Sequence, residues 1–180
     1  MKKNVDVFDY AGDICKAMKK GVLLTTSDGQ KVNTMTIGWG MLGLEWGKPI
    51  FIALVRESRF TKGLLDKNGE FTVNIPWGET DSRILSYCGT KSGADTNKID
   101  DLKLTLDNPI SVSVPAIQEL PLTLECRVLY RQTQDLSAMP TEIVQRFYPQ
   151  DVDGSYPGSN QDVHIAYYAE IVNAYLIEKD

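Results

Sequence analysis

The sequence predicts a mainly β protein with short helices, built as a barrel or a sandwich. Short runs rich in apolar and β-branched residues alternate with turn-forming Gly, Pro, Asn and Asp. An Asp-Gly pair at 28–29 separates two of these runs, which is a strong signal for a β-hairpin. The run at 163–177 is long enough to bend or bulge. Helical periodicity is confined to short segments, as in a barrel decorated with helices.

The first half of the chain alternates between helices and strands. Apolar residues at helical spacing define the helices, which Gly21 and Asn68-Gly69 are expected to end. Ser58 is expected to N-cap the second helix. The predicted elements are a helix at 7–20, strands at 22–26, 31–37 and 50–55, a helix at 59–67, and a strand at 70–75 that stops at Pro76.

The second half contains the longest predicted strands. Alternate positions of 122–131 are apolar, which is typical of a half-buried antiparallel strand. Residues 89–101 have the composition of a loop. The predicted elements are a helix at 80–87, an irregular strand at 109–117, strands at 122–131 and 163–177, and a short helix at 141–147.

Length and composition are typical of a single globular domain over residues 1–180. The hydrophobic fraction is 42% and the charged fraction 24%, near the averages of globular proteins. No apolar run approaches the roughly 20 residues of a membrane-spanning helix, and no secretory signal follows the first lysines. We therefore expect a cytoplasmic protein with no membrane partner.

The net charge, the few cysteines and the single histidine argue against several kinds of function. The net charge of −5 argues against a nucleic-acid partner. The three cysteines are widely separated, so neither a disulfide framework nor a metal site is expected. His164 is the only histidine, and no nucleophile motif accompanies it. The protein is therefore not expected to carry demanding chemistry on its own side chains.

A glycine pattern raises the question of a dinucleotide-binding loop. Residues 38–43 read Gly-x-Gly-x-x-Gly, but such a loop must lead directly into a helix. Gly47 and Pro49 would break that helix, so we reject this interpretation. Two alternatives stay open: the glycines mark a bulged strand and a turn, or they let a flat ligand approach the backbone.

A strand-to-helix corner at 56–61 offers groups that suit a phosphate. Arg56 and Arg59 flank Ser58, and Thr61 lies in the first turn of the predicted helix. Free amides, hydroxyls and guanidinium groups together bind phosphate monoesters well. The alternative is a capped surface helix with solvated arginines.

Several motifs, in order and spacing, resemble the flavin reductase-like (flavoredoxin) family, over about residues 10–178. They are Asn-Thr-Met-Thr-Ile-Gly-Trp-Gly at 33–40, Trp-Gly-Lys-Pro at 46–49, Arg-Glu-Ser-Arg-Phe-Thr at 56–61, Phe-Thr-Val-Asn-Ile-Pro at 71–76, Cys-Gly-Thr-Lys-Ser-Gly at 88–93 with Lys98 beyond, and His164 before Glu-Ile-Val at 170–172.

The resemblance implies a split β-barrel of the FMN-binding type, antiparallel and Greek-key-like, usually a homodimer with the flavin near the subunit interface. It assigns Asn33, Thr34, Met35, Thr36 and Trp39 to the flavin and ribityl chain, Arg56, Ser58, Arg59 and Thr61 to the phosphate, and Ser92, Gly93 and Lys98 to the closure of the site. One departure is Ala94, where the family often has Arg. The loop at 149–161 also looks individual to this chain.

A flavin would explain the scarcity of catalytic side chains, because the cofactor itself carries the redox chemistry. We expect an NAD(P)H-dependent FMN reductase in which hydride passes from nicotinamide to flavin N5, with no catalytic residue. NADH and NADPH are not distinguished by any motif. His164 is a structural histidine or a contact on the nicotinamide side. The alternatives are a flavoredoxin-type electron carrier, or a non-redox flavin-binding module; an acceptor protein or an oxygenase could take the electrons or the reduced flavin.

Overall fold

An antiparallel sheet that carries one large apolar core forms the body of the protein. The computed structural model describes residues 1–156 and 158–178. Its strands are β1 Lys2–Asn4, β2 Val22–Ser27, β3 Val32–Ile37, β4 Gly40–Glu45, β5 Lys48–Arg56, β6 Glu70–Ile75, β7 Leu106–Asp107, β8 Ala116–Ile117, β9 Leu122–Thr133 and β10 His164–Ile177.

The described residues include five short α-helices, which lie around the sheet. They are α1 Ala11–Met18, α2 Phe60–Asn68, α3 Ser82–Thr90, α4 Lys98–Leu102 and α5 Thr141–Phe147. A 3₁₀ turn at Val7–Tyr10 leads into α1, and Gly69 ends α2 in the left-handed conformation at φ 72°. Asp81 caps α3 by accepting a hydrogen bond from the Arg83 amide. None of the helices among the described residues is long and apolar enough to cross a bilayer.

The main sheet follows the order β3-β2-β6-β9-β10-β5-β4, with β1 added beside β10. Every pairing in it is antiparallel, and β7 and β8 form a separate pair. The strands turn one face to a shared core of fully buried side chains, including Leu24, Phe51, Phe71, Val73 and Tyr167. The mainly β, split-barrel prediction is therefore confirmed.

Most predicted strands lie where the sequence indicates them. The hairpin across Asp28-Gly29 pairs Ser27 with Val32, as the Asp-Gly signal predicts. The long last strand contains register shifts between Tyr168 and Ala169 and between Ile171 and Asn173. These irregularities let β10 pair with β5 along its first half and with β1 at its end.

Four local predictions are wrong. Arg59, not Ser58, is the N-cap of α2, and its side chain makes no capping bond. The predicted loop at 89–101 contains the end of α3 and most of α4, and only Ala116–Ile117 of the 109–117 segment is a strand. In β9, Thr123 and Glu125 are fully buried instead of exposed. The reason is long-range: Glu125 accepts hydrogen bonds from the amides of Ile110 and Ser111, so that segment covers this face.

The glycine-rich segment forms a strand and a turn, and no helix follows it. At Gly40, an added Cβ would lie 2.9 Å from the Ile52 carbonyl oxygen and 3.1 Å from the Phe51 ring. Glycine is needed there because β4 packs directly on β5. Trp46 and Gly47 make the turn with φ of 53° and 70°. The turn is thus confirmed, while the β4–β5 register runs without a bulge.

Candidate functional site

A groove lies at the seam of the barrel, where β3 and β4 end the strand order without pairing to each other. Two cavities, of about 150 and 200 Å³, form this groove and share Met35, Thr36 and Arg59 in their walls. The first is also lined by Ser58, Phe60, Thr61, Cys88, Gly89, Thr90, Lys91, Ser92, Gly93 and Lys98, and the second by Ile37, Gly38, Trp39, Leu54, Arg56 and His164.

The first cavity, which we call the cationic cavity, is built for an anion. Its described walls carry Arg59, Lys91 and Lys98 but no carboxylate. The chain as a whole has a net charge of −5, so this concentration of positive charge is local. The Lys31 ammonium also lies nearby, 2.5 Å from the Gly93 carbonyl oxygen and over the Phe60 ring.

Lys98 is a buried lysine rather than a solvated loop residue. Its ammonium donates to the carbonyl oxygens of Thr34 and Cys88 over 2.9 and 2.8 Å. Burial lowers the pKa of Lys98, and the charge of Arg59 lowers it further. An ammonium has three protons to donate. Two are used to tie α4 to β3 and α3, which leaves one for a group in the cavity.

Two residues predicted to bind phosphate already have partners within the protein. The Ser58 amide and hydroxyl both donate to the Asp162 carboxylate, over 3.0 and 2.6 Å. The Arg56 guanidinium donates to the carbonyl oxygens of Asp162 and Phe147 over 2.6 and 3.1 Å. The corner at 56–61 is thus closed on one side by the segment that leads into β10.

Arg59 and the buried Thr61 remain on the cavity side of this corner. Within the described residues, the Arg59 side chain has neither a salt bridge nor a hydrogen bond. The Thr61 hydroxyl accepts a hydrogen bond from Nδ2 of Asn33 over 2.8 Å. Arg59 is therefore the cation of this corner best placed to respond to a ligand.

The Asn-Thr-Met-Thr strand divides its side chains between core and groove. Thr34 is fully buried, and its hydroxyl hydrogen-bonds with Thr25 and Leu24, so only its carbonyl reaches the site, through Lys98. Met35 and Thr36 line both cavities, and the Thr36 hydroxyl donates to the Leu85 carbonyl. The strand thus offers two side chains and backbone groups to a ligand.

Ser92 and Gly93 line the cationic cavity together with Arg59. A Cβ added at Gly93 would lie 2.1 Å from Oδ1 of Asn33 and 2.8 Å from the Phe60 ring. No side chain fits there, so this glycine permits the close approach of the 92–94 loop to β3. The residues predicted to close the site, Ser92, Gly93 and Lys98, therefore line the same cavity as residues predicted to bind the flavin and the phosphate.

The second cavity, which we call the aromatic cavity, is lined by Trp39 and His164. Its Trp39 ring lies 4.9 Å from the imidazole and 5.2 Å from the Phe147 ring, measured between centroids. Nδ1 of His164 lies 2.8 Å from the Tyr148 hydroxyl. Burial lowers the pKa of His164 to about 4, and the charge of Arg56 adds to this effect. The imidazole is therefore neutral at physiological pH.

Sequence reasoning missed the residues that reach the site from far along the chain. None of these residues belongs to a local sequence motif; they are Asp162, Phe147, Tyr148 and Lys31. The first three flank the 149–161 loop, whose individual sequence is the only indication that this part of the chain contributes to the site. Cys88 lines the cationic cavity, but burial raises its thiol pKa to about 11. In the described parts of the chain, no cluster of His, Cys, Asp and Glu could hold a metal ion.

Comparison with known proteins gives matches over most of the chain. The family model described as flavin reductase like domain matches residues 15–180. An uncharacterized protein of Archaeoglobus fulgidus is 37% identical over 106 residues, which is 59% of this chain and 59% of that protein. The chain thus matches about three fifths of the length of this relative.

Solved structures share the fold at low sequence identity. The flavoredoxin of Desulfovibrio vulgaris (Miyazaki F) is 18% identical with a TM-score of 0.62, over 88% of this chain and 69% of that chain. An FMN-binding domain of a flavin reductase-like enzyme from Shewanella baltica is also 18% identical, with a TM-score of 0.61, over 98% of this chain and 77% of that chain.

Proposed function

Because the chain belongs to the flavin reductase-like family, whose model matches residues 15–180, we propose that it binds FMN in the groove and reduces it with NADH or NADPH. One observation carries the proposal: a cationic cavity with no carboxylate in its described walls shares Met35, Thr36 and Arg59 with a second cavity lined by Trp39 and His164. FMN has this composition, with a phosphate at one end of a ribityl chain and a flat ring at the other. The FMN-binding relative from Shewanella baltica supports the same choice.

The cationic cavity suits the phosphate of FMN. A phosphate monoester carries about −1.5 to −2 charges at neutral pH. Arg59, Lys91 and Lys98 would hold it by charge-assisted hydrogen bonds, each stabilising by roughly 1.5–3 kcal/mol. Ser92 and the backbone of Gly93, which line the same cavity, would help to close the site.

The aromatic cavity suits the flavin ring and its reductant. Met35, Thr36 and Trp39 would contact the ring, and His164 would face the reductant. A flavin held there would supply the redox chemistry of the hydride transfer. The protein residues bind, orient and shield it, so no side-chain acid or base is assigned to the reaction.

A substitution at Arg59 tests the phosphate assignment. Arg59→Ala should weaken FMN binding about tenfold or more, because a charge-assisted contact of roughly 1.5–3 kcal/mol is lost. Riboflavin lacks the phosphate, so its affinity should fall much less, although Arg59 also lines the aromatic cavity. Arg83→Ala is the matched control, since Arg83 is an exposed arginine that pairs with Asp81 on α3. Quenching of flavin fluorescence measures both ligands; equal effects on FMN and riboflavin would contradict the assignment.

Anaerobic mixing with each nicotinamide tests the reductase activity. The FMN-loaded protein should lose its flavin absorbance on addition of NADH, NADPH or both. Flavin that binds but is reduced only by dithionite would favour a flavoredoxin-type electron carrier. Flavin that binds but does not cycle with any electron donor or acceptor would favour a non-redox module. No flavin uptake at micromolar concentration would overturn the whole proposal.

We also propose that the protein is a homodimer. Met41, Ile52, Tyr168 and Tyr130 lie side by side across β4, β5, β10 and β9 on the outer face of the sheet. Met41 and Tyr130 are 48% and 46% exposed, and Trp46 beside them is 56% exposed. An apolar face of this kind usually marks a protein interface. Leu54 continues it into the aromatic cavity, so a second copy would cover the ring end of the groove.

The proposed reduction of FMN leaves two uses for the reduced flavin. A reduced flavin that stays bound would pass electrons to an acceptor protein, and one that dissociates would supply an oxygenase. Both uses are compatible with our expectation of a cytoplasmic protein. Retention of FMN through gel filtration after reduction would separate these two uses.

A further inference from the structure

A third cavity, which we call the α3–α4 cavity, lies between these two helices and outside the groove. It has a volume of about 590 Å³, which is within the range of roughly 300–1,000 Å³ typical of small-molecule sites. Its walls include Ile84, Tyr87, Asp101, Leu102 and Glu119. Thr90 lines both this cavity and the cationic cavity, so the two adjoin at the last turn of α3.

We propose that the α3–α4 cavity binds the adenosine half of FAD while the flavin half occupies the groove. The proposal rests on the proposed function in taking the cationic cavity as the site of the flavin phosphate. FAD is FMN extended through a pyrophosphate by an adenosine. With its first phosphate beside Thr90, the ligand would carry its second phosphate and adenosine over the end of α3. From Thr90 back to Ile84 the helix spans about 9 Å, at 1.5 Å per residue.

The walls of the α3–α4 cavity suit a flat apolar base. Ile84 is buried, and Leu102 packs against the same apolar cluster. The half-buried Tyr87 ring lies three residues after Ile84, on the same face of α3. Aromatic side chains stack on any base, because every base has a π-face. Tyr87 is therefore the residue on which the adenine would stack.

Asp101 offers an acceptor for the sugar of the same nucleoside. The Tyr87 hydroxyl donates to Oδ2 of Asp101 over 2.7 Å, which ties α3 to α4 and orients both side chains. Among the described residues, Oδ1 of this carboxylate has no donor. A carboxylate that accepts hydrogen bonds from ribose hydroxyls is a common feature of dinucleotide sites. Oδ1 of Asp101 is thus placed to select a ribose.

The charges of the α3–α4 cavity favour a neutral nucleoside over a further phosphate. Its described walls carry the carboxylates of Asp81, Asp101 and Glu119 against the cations Arg83 and Lys103. Asp81 is paired with Arg83 over 2.6 Å. The excess of negative charge would repel a phosphate in this cavity, so both phosphates of the ligand belong on the cationic side of Thr90.

A pyrophosphate can cross the end of α3 because the carbonyl oxygens there are occupied. A free helix C-terminus repels an anion. Here the carbonyls of residues 86–88 accept hydrogen bonds from the Thr90 hydroxyl, the Lys91 amide and the Lys98 ammonium, over 2.9, 3.0 and 2.8 Å. Within residues 1–156 and 158–178, the Lys91 ammonium has no salt bridge. It is therefore available to the second phosphate.

ADP tests the adenosine site without any flavin. Bound to the flavin-free protein, ADP should place its phosphates in the cationic cavity and its adenosine in the α3–α4 cavity. In amide NMR spectra, the resonances of residues 90–93 and of residues 101–103 should therefore both shift. Inorganic pyrophosphate should shift those of 90–93 alone. Shifts confined to 90–93 with ADP, or no shift at millimolar ADP, would overturn the proposal.

Substitutions of Tyr87 test the stacking. Tyr87→Ala should weaken FAD binding about fivefold or more and leave FMN binding unchanged, because only FAD places a base on the ring. Tyr87→Phe keeps the ring and should keep most of the affinity for FAD. Tyr156→Ala is the matched control, since Tyr156 is 52% exposed and lies outside the described walls of both cavities. An equal loss for FAD and FMN in Tyr87→Ala, or no loss, would count against the adenosine site.

The affinities of the wild-type protein for the two flavins complete the test. FAD should bind at least as tightly as FMN, because its adenosine half adds contacts to those of the shared flavin half. Binding of FAD about tenfold weaker than that of FMN would overturn the adenosine site and leave the proposed function intact. Uptake of neither flavin would overturn the proposed function, while the ADP spectra would still decide whether the α3–α4 cavity binds adenosine.

Discussion

At the scale of single residues, Asp162 occupies two hydrogen-bond donors of the corner at 56–61, which was predicted to bind phosphate. Its carboxylate takes the amide and hydroxyl of Ser58, two donors that would otherwise serve an anionic ligand. The arrangement places a negative charge beside Arg59 and the cationic cavity. A ligand phosphate therefore meets repulsion from Asp162 as well as attraction from the cations.

Asp162→Asn should tighten FMN binding about fivefold. Two unit charges a few ångströms apart in water interact by about 1 kcal/mol, and this repulsion is lost in the variant. Asn can still accept a hydrogen bond from Ser58, so the loop should keep its position. Titration with FMN and with riboflavin at low and high salt measures the effect. An equal gain for riboflavin would show that charge is not the cause.

The pKa of His164 makes stability depend on pH. Its folded-state pKa of about 4 lies below the ordinary value of 6.5, so only the unfolded chain binds a proton between these values. Stability should therefore fall as pH drops from 6.5 to 4, by at most about 1.4 kcal/mol per pH unit from this group. Urea unfolding of wild type and of His164→Gln across this range isolates the contribution, and a constant difference between them would contradict it.

At the scale of elements, the site depends on how closely the loop between α3 and α4 approaches β3. That approach is made at Gly93, which lies against Asn33 and Phe60. Lys98 and Lys31 reinforce it with hydrogen bonds to backbone carbonyls on either side. The cationic cavity is therefore a product of loop docking rather than of any single strand or helix.

Gly93→Ala should destabilise the protein by about 1–3 kcal/mol and weaken FMN binding, because the added methyl group forces the loop away from β3. Gly43→Ala is the matched control, since a Cβ there would meet nothing within 4 Å. Urea unfolding and FMN titration measure the two effects. If both variants behaved alike, loop docking would not be what shapes the cavity.

The strands were predictable from the sequence, and the docking of loops was not. Alternation and turn residues act locally, so 22–27 and 70–75 were found almost to the residue. The burial of Lys98, inside the segment predicted to be a loop, was not predictable because its two acceptors, Thr34 and Cys88, are distant in sequence. Ser58 looked like a helix cap because its competitor, Asp162, lies 104 residues further along the chain. Patterns of period two or 3.6 carry no information on such contacts.

At the scale of the whole molecule, the proposed dimer and the proposed flavin site are coupled. The outer apolar face leads through Leu54 to the aromatic cavity. If a second copy covers this face, it also shields the ring end of the groove from water. Shielding of that kind would slow reoxidation of reduced flavin by dissolved oxidants.

Tyr130→Lys should convert the dimer to a monomer, because it places a charge in the middle of the apolar face at a side chain that is 46% exposed. Sedimentation equilibrium measures the change directly. Arg83→Ala, an exposed residue of α3 outside the four strands of that face, is the control and should remain dimeric. A wild-type protein that is monomeric at all concentrations would overturn the dimer, while the flavin proposal would stand on its own tests.

The guanidinium group of Arg56 holds together the two ends of the segment between α5 and β10. Arg56 binds the carbonyl of Phe147 where the segment starts and that of Asp162 where it finishes. The segment is therefore held at its base, where the buried Gly158 also packs against Arg56 and the Phe147 carbonyl. The exposed residues 150–156 can therefore change in length or sequence while Arg56 and Asp162 keep the segment attached at its base.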